Sequence, residues 1–202
     1  MLANISFAAA LGVFMVVLIN GLGMDPLLAG ILGAVPRIFD ALTDPVMGYI
    51  SDHTHSKYGR RRPYIFIGSI ITGLSFIFMW QIFSENSQLY NFTHFLFWSL
   101  VFYLGYTIFA TPYIALGYEM SDDFNERTRL MGAAQLIGQF AWVLAPWSWV
   151  VIYNTKLFKN APEGARFLSI WVGLGCMFIA LIPALVCKQK VIPKEEQKRI
   201  NF

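Results

Sequence analysis

Three ionisable side chains and a hydroxyl stand together in residues 37–48, "RIFDALTDPVMG": Arg37, Asp40, Thr43 and Asp44. Apolar residues flank them on both sides. On a helix, Arg37, Asp40 and Asp44 are spaced i, i+3 and i+7, so one face carries all three. Carboxylates are hard oxygen ligands that suit Na+ or Li+, and a closely held pair can instead share a proton. With Arg37 as charge partner, the group keeps a net negative charge that a single monovalent cation would neutralise. Thr43 adds a hydroxyl oxygen beside the pair. A static salt bridge that only locks helices together is the other reading of the same residues.

The elements that must position this group are membrane helices. The chain has 202 residues, of which 56% are hydrophobic and 13% charged. That is about half the ~25% charge of soluble domains, and the mean hydropathy is +0.54. The apolar residues fall in blocks near or above the ~20 residues that cross a bilayer core. Six spans are expected, roughly over 5–22, 27–50, 64–83, 92–117, 131–153 and 166–187, with a polar tail over 188–202. The fold class is therefore an all-α membrane protein, a six-transmembrane-helix bundle. Asp40 lies near the middle of the second span. One ionised side chain there costs about 2.5–3.5 kcal/mol even on a mild insertion scale. Three unpaired ones would cost as much as a domain's whole stability, so they must face the protein interior.

Six spans return the chain to its starting side. The loop 51–63, the loop 118–130 and the tail then share one face, which holds most of the lysines and arginines. By the positive-inside rule that face is cytoplasmic, and both termini lie there. The localisation expected is an integral, multi-pass protein of the plasma (inner) membrane, with the lipid bilayer as its first partner. The net charge of +3 is thus topological, and nucleic acid is not an expected partner. Cys176 and Cys187 read as packing residues, and no cleavable signal peptide is evident. Pro36, Pro45, Pro112 and Pro146 fall inside spans and can kink them. Gly12, Gly30, Gly33, Gly132, Gly138, Gly173 and Gly175 offer close helix approach.

The loop after the second span carries more pattern than membrane anchoring needs: Gly48, then Asp52, then Gly59-Arg60-Arg61-Arg62-Pro63. It resembles the signature loop of the major facilitator superfamily. The longer stretch "DALTDPVMGYISDHTHSKYGRRRP" resembles the glycoside–pentoside–hexuronide:cation symporter family, the family of melibiose permease. Tyr106-Thr107, Pro112-Tyr113-Ile-Ala-Leu116 and Glu126-Arg127 are similar to that family's fourth helix and the loop after it. The resemblance covers most of the chain and implies the N-terminal half of a twelve-helix carrier.

The resemblance also implies roles. Asp40, Asp44, Thr43 and Thr107 would form the cation site. Tyr106 would line the adjacent sugar site, with Gln135 beside it, and Arg127 would bridge the two halves when the carrier faces outward. Gly48, Asp52, Gly59, Arg60, Arg61 and Arg62 would form the cytoplasmic signature loop. The function implied is symport of a sugar or glycoside-like solute with Na+, Li+ or H+, with no other cofactor. Departures are clear: the melibiose-carrier pattern has a carboxylate at Ala110 and an arginine at Gln135, and Asn4 stands where an acidic residue aligns. The sugar contacts are therefore expected to differ. With half the family's spans, the chain is expected to work with the missing C-terminal six-helix half or with a second copy.

Two other classes compete. Intramembrane prenyltransferases hold Mg²⁺ and a diphosphate with D-x-x-x-D motifs; "DALTD" has that spacing, and Asp122 with Glu126 gives a second acidic pair. A non-transporting half-carrier or scaffold is the third reading. The leading expectation is a transporter rather than an enzyme.

Overall fold

The computed structural model describes residues 2–54, 56, 59–121 and 123–186, with the side chains of residues 2, 4 and 14 outside that description. Among the described residues the protein is all-α. Its helices are α1 (Leu2–Asn20), α2 (Pro26–His53), α3 (Arg62–Met79), α4 (Gln88–Glu119), α5 (Phe124–Leu144), α6 (Trp147–Ile152) and α7 (Ala161–Val186). Among the described residues, five stretches are long and apolar enough to cross a membrane: α2, α3, α4, α5 with α6, and α7. Helix α1 is apolar over Ile5–Asn20. The fold is an all-α membrane bundle.

Helix starts follow local chemistry. At α2 the Asp25 carboxylate accepts the Leu27 N–H at 2.8 Å, and Pro26 occupies the first turn, where its missing N–H costs nothing. At α4 the Ser87 hydroxyl accepts the Tyr90 N–H, and at α5 Asp123 accepts from Asn125. Pro36, Pro45 and Pro112 sit inside unbroken helices, as does Pro183. Pro146 acts differently. The expected span 131–153 is divided, with α5 ending at Leu144 and α6 beginning at Trp147. The helix over the fourth expected span is longer than expected, Gln88–Glu119, and the tail 188–202 lies outside the described residues.

Helix α3 is the hub, packed between α4 and α7; α4 packs on α2, and α1 packs on α5 and α7. Small residues let α3 in. A Cβ at Gly68 would stand 2.5 Å from the Phe109 backbone N, and one at Gly173 would stand 3.0 Å from the Gly73 carbonyl oxygen. The hydroxyls of Ser69, Thr72 and Ser75 donate to carbonyls three or four residues back, so they bring no unpaired polar group into the interior. Phe7, Phe76 and Phe102 meet at 5.6–5.8 Å between ring centroids and join α1, α3 and α4. By contrast, α2 and the α5–α6 span have only 17% of their most apolar window buried, against 44% for α3 and α4. Those two elements therefore keep an uncovered face.

Candidate functional site

The packing of α2 on α4 sets two aspartates against two threonines. The Thr107 hydroxyl donates to Asp40 Oδ1 at 2.8 Å. One helical turn on, the Thr111 hydroxyl donates to Asp44 Oδ1 at 3.2 Å. Thr43 donates to its own helix, at the Asp40 carbonyl (3.1 Å), and its oxygen lies 3.3 Å from that of Thr107. Thr107 is 1% exposed, while Asp40 and Thr43 are half-buried and Asp44 is exposed. Asp40, Thr43, Asp44 and Thr107 thus come together, with Thr111 added. The second oxygen of each carboxylate accepts no protein donor among the described residues. The cluster therefore offers two carboxylate oxygens and hydroxyl lone pairs to a hard cation.

Arg37 lies on the same helix face, but no carboxylate is within ion-pair distance of it among the described residues. Its guanidinium stands over the Tyr103 ring, 5.7 Å from the centroid, and its charge acts on Asp40 through space. Tyr106 stacks on Phe102 (6.0 Å) and meets Tyr103 edge-on (6.5 Å). A short aromatic shelf on α4 thus adjoins the carboxylates. Gln135 is exposed on α5, Ala110 is buried, and the Asn4 side chain lies outside the described residues.

A second cluster ties helix ends together. Gly59 has φ 102°, a conformation that favours glycine, and it turns the chain into Arg60-Arg61-Arg62. Arg61 is buried and reaches Asp52 at the end of α2 (2.5 Å) and Glu119 at the end of α4 (3.0 Å). Arg60 also pairs with Glu119. Arg62 donates to the carbonyls of Ala184 (2.7 Å) and Leu185 (3.0 Å) on α7. One end of the bundle is thus stapled across α2, α3, α4 and α7. Gly48 sits a turn before, where Ser51 donates back to its carbonyl. Arg127 donates to the Ser121 carbonyl, closing its own loop, while Glu126 accepts from the Ser121 hydroxyl. Asp122, which the prenyltransferase reading needs, lies outside the described residues.

The chain matches the family described as MFS/sugar transport protein over residues 1–201. It belongs to that family. The relatives include an uncharacterised symporter of Synechocystis sp., 38% identical over 113 residues, which are 54% of this chain and 21% of the relative. The YjmB symporter of Bacillus subtilis is 27% identical over 182 residues, 87% of this chain and 38% of that protein. A sodium-dependent lysophosphatidylcholine symporter of Gallus gallus is 32% identical over 124 residues, 58% of this chain and 22% of that protein. The chain spans well under half the length of each.

In this MFS protein, sequence reasoning overlooked Thr111. The signal was present: Thr107 and Thr111 repeat on α4 the four-residue spacing of Asp40 and Asp44 on α2. Glu119, which both Arg60 and Arg61 engage, also went unnoticed, although it ends a long apolar helix opposite a basic loop.

Proposed function

We propose that this chain forms the cation-binding half of a secondary symporter that couples a small cation to uptake of a sugar or glycoside-like solute. The observation that carries the reading is the pairing of Asp40 with Thr107 and of Asp44 with Thr111, which leaves an oxygen of each carboxylate available. Na+ or Li+ fits such oxygens, and a proton competes for them. A cation held there cancels the net negative charge of Arg37, Asp40 and Asp44. Only the cation-loaded state then binds solute well, and the halves rock about the shared site. Tyr106, with the Tyr103 ring beside it, supplies an aromatic shelf for the solute, and Gln135 lines the approach from α5. The end held by Arg60, Arg61 and Arg62, with the Arg127 loop, faces the cytoplasm of a plasma (inner) membrane, and both termini lie on that side. The second half is a C-terminal six-helix unit or another copy of this chain.

An amphipathic solute is the second reading. A relative is named as a sodium-dependent lysophosphatidylcholine symporter. Ala110, buried and apolar where melibiose-type carriers have a carboxylate, offers no partner to a sugar hydroxyl. A site that lacks partners for sugar hydroxyls discriminates poorly for them.

The test uses proteoliposomes of the complete carrier, with labelled glycosides and lysophosphatidylcholine under imposed Na+ or pH gradients. Cation-stimulated uptake of one of them is expected. Asp40→Asn and Asp44→Asn should each remove the stimulation. Uptake that responds to Na+ or H+ equally in the wild type and both variants would sink the coupling role.

A further inference from the structure

We propose that Thr111 is a positioning residue of the cation site, holding the Asp44 carboxylate in the orientation that Na+ or Li+ requires. This rests on the cation reading above and assigns a residue that the family resemblance leaves out. The two aspartate–threonine pairs form successive rungs between α2 and α4. Asp40 meets Thr107 and Asp44 meets Thr111, each pair 67 residues apart in sequence. Both helices advance four residues between rungs, so they run in the same direction and keep register. Four residues rise about 6 Å, which stacks one rung above the other.

The upper and lower rungs are not equivalent. Asp40 is half-buried and its partner Thr107 is buried, so packing restrains that carboxylate as well as the hydrogen bond does. Asp44 is exposed, and Thr111 is its sole protein donor among the described residues. Without that hydroxyl the Asp44 carboxylate could turn freely toward water. Thr111 itself is held by its branched side chain. Its methyl carbon Cγ2 lies toward Gly48, 3.8 Å from where a Cβ there would stand, while the hydroxyl points to Asp44. A β-branched residue on a helix has few side-chain rotamers, so the hydroxyl has few directions in which to point. Donation to Oδ1 leaves Oδ2 for the cation and orders it before the cation arrives.

The experiment measures Na+ and Li+ binding to the complete carrier by titration calorimetry in choline chloride, so that no solute need be known. Thr111→Val keeps the shape and removes the hydroxyl; Thr111→Ser keeps the hydroxyl and removes the methyl. Loss of a hydrogen bond to a charged group predicts about tenfold weaker Na+ binding for Thr111→Val. Thr111→Ser should recover most of that loss, and the Li+/Na+ affinity ratio should shift in the valine protein alone. A purely structural role would lower the yield of folded protein and leave the affinity and the ratio of the folded fraction unchanged. Should the valine protein not fold, Thr111→Ala carries the same expectation. Wild-type affinity and ratio in both Thr111→Val and Thr111→Ala, with binding lost in Asp44→Asn, would overturn this inference and leave the cation reading standing. A wild-type carrier that binds neither Na+ nor Li+ would overturn both.

Discussion

Thr43 and Thr107 both bring a hydroxyl to Asp40, but they are not equal partners. Thr107 spends its proton on the Asp40 carboxylate, whereas Thr43 spends its own on a backbone carbonyl of the same helix. Removing the Thr107 hydroxyl withdraws a charge-assisted bond from a half-buried anion, a loss of about 1.5–3 kcal/mol. Removing the Thr43 hydroxyl withdraws an ordinary local bond whose acceptor is already in the helix ladder. Thr107→Val should therefore weaken cation binding by about tenfold or more, and Thr43→Ala by clearly less, in the same calorimetric titration. Equal losses would mean that Thr43 contacts the cation as directly as Thr107. At this scale the site was half legible. Charge in a membrane span is so costly that Asp40 and Asp44 had to have a purpose. A threonine carries no such cost: Thr72 on α3 and Thr93 on α4 itself simply bond their own backbone. Only the register of α4 against α2 separates Thr111 from them, and register cannot be read from composition.

Element by element, hydropathy located the helices because each crossing must satisfy its own backbone in lipid. Interior prolines could not be ranked in advance. Pro36, Pro45 and Pro112 stay within continuous helices, and only Pro146 marks a division. Glycines were harder still. Gly12, Gly30, Gly132 and Gly175 have nothing within 4 Å of an added Cβ, while Gly68, Gly73 and Gly105 sit against neighbouring helices. A glycine's purpose depends on which face it occupies, and in an all-apolar helix both faces look alike. Alanine at an open position gains up to about 1 kcal/mol of helix propensity. At Gly68 that gain meets an overpacking cost of about 1–3 kcal/mol, and the upper end applies because the nearest atom is backbone, Phe109 N. Gly68→Ala should thus lower the thermal unfolding temperature in detergent, and Gly175→Ala should leave it unchanged or raise it. An unshifted Gly68→Ala protein would show that α3 and α4 can separate without loss.

For the molecule as a whole, the uncovered faces matter most. Helix α2 carries the aspartates yet is among the least buried spans, and α5, with Gln135, matches it. Leu42 is 68% exposed beside the cation cluster, and Leu136 is 71% exposed beside Gln135. Lipid could cover these leucines, but a bilayer supplies no partners for Arg37 and Asp44, which are exposed on the same element. An ion in hydrocarbon costs several kcal/mol, so the face bearing them must meet water or protein. The symport proposed above would need both in turn, with a second half opening and closing over the site. Phe66 on α3 is 41% exposed beside Ile67, itself 51% exposed, and suits lipid. In a carrier freed of its other cysteines, Cys176 and Cys187 included, single cysteines at Leu42 and Leu136 carrying benzophenone maleimide should therefore photocrosslink in native membranes to a second six-helix unit. A cysteine at Phe66 should stay monomeric and react with lipid-soluble maleimide. A solute that requires the cation should change the Leu42 yield, since rocking of the halves alters the gap at α2. Equal crosslinking from all three positions, or none from Leu42 and Leu136, would mean that this face serves lipid and that the six-helix unit does not work against another.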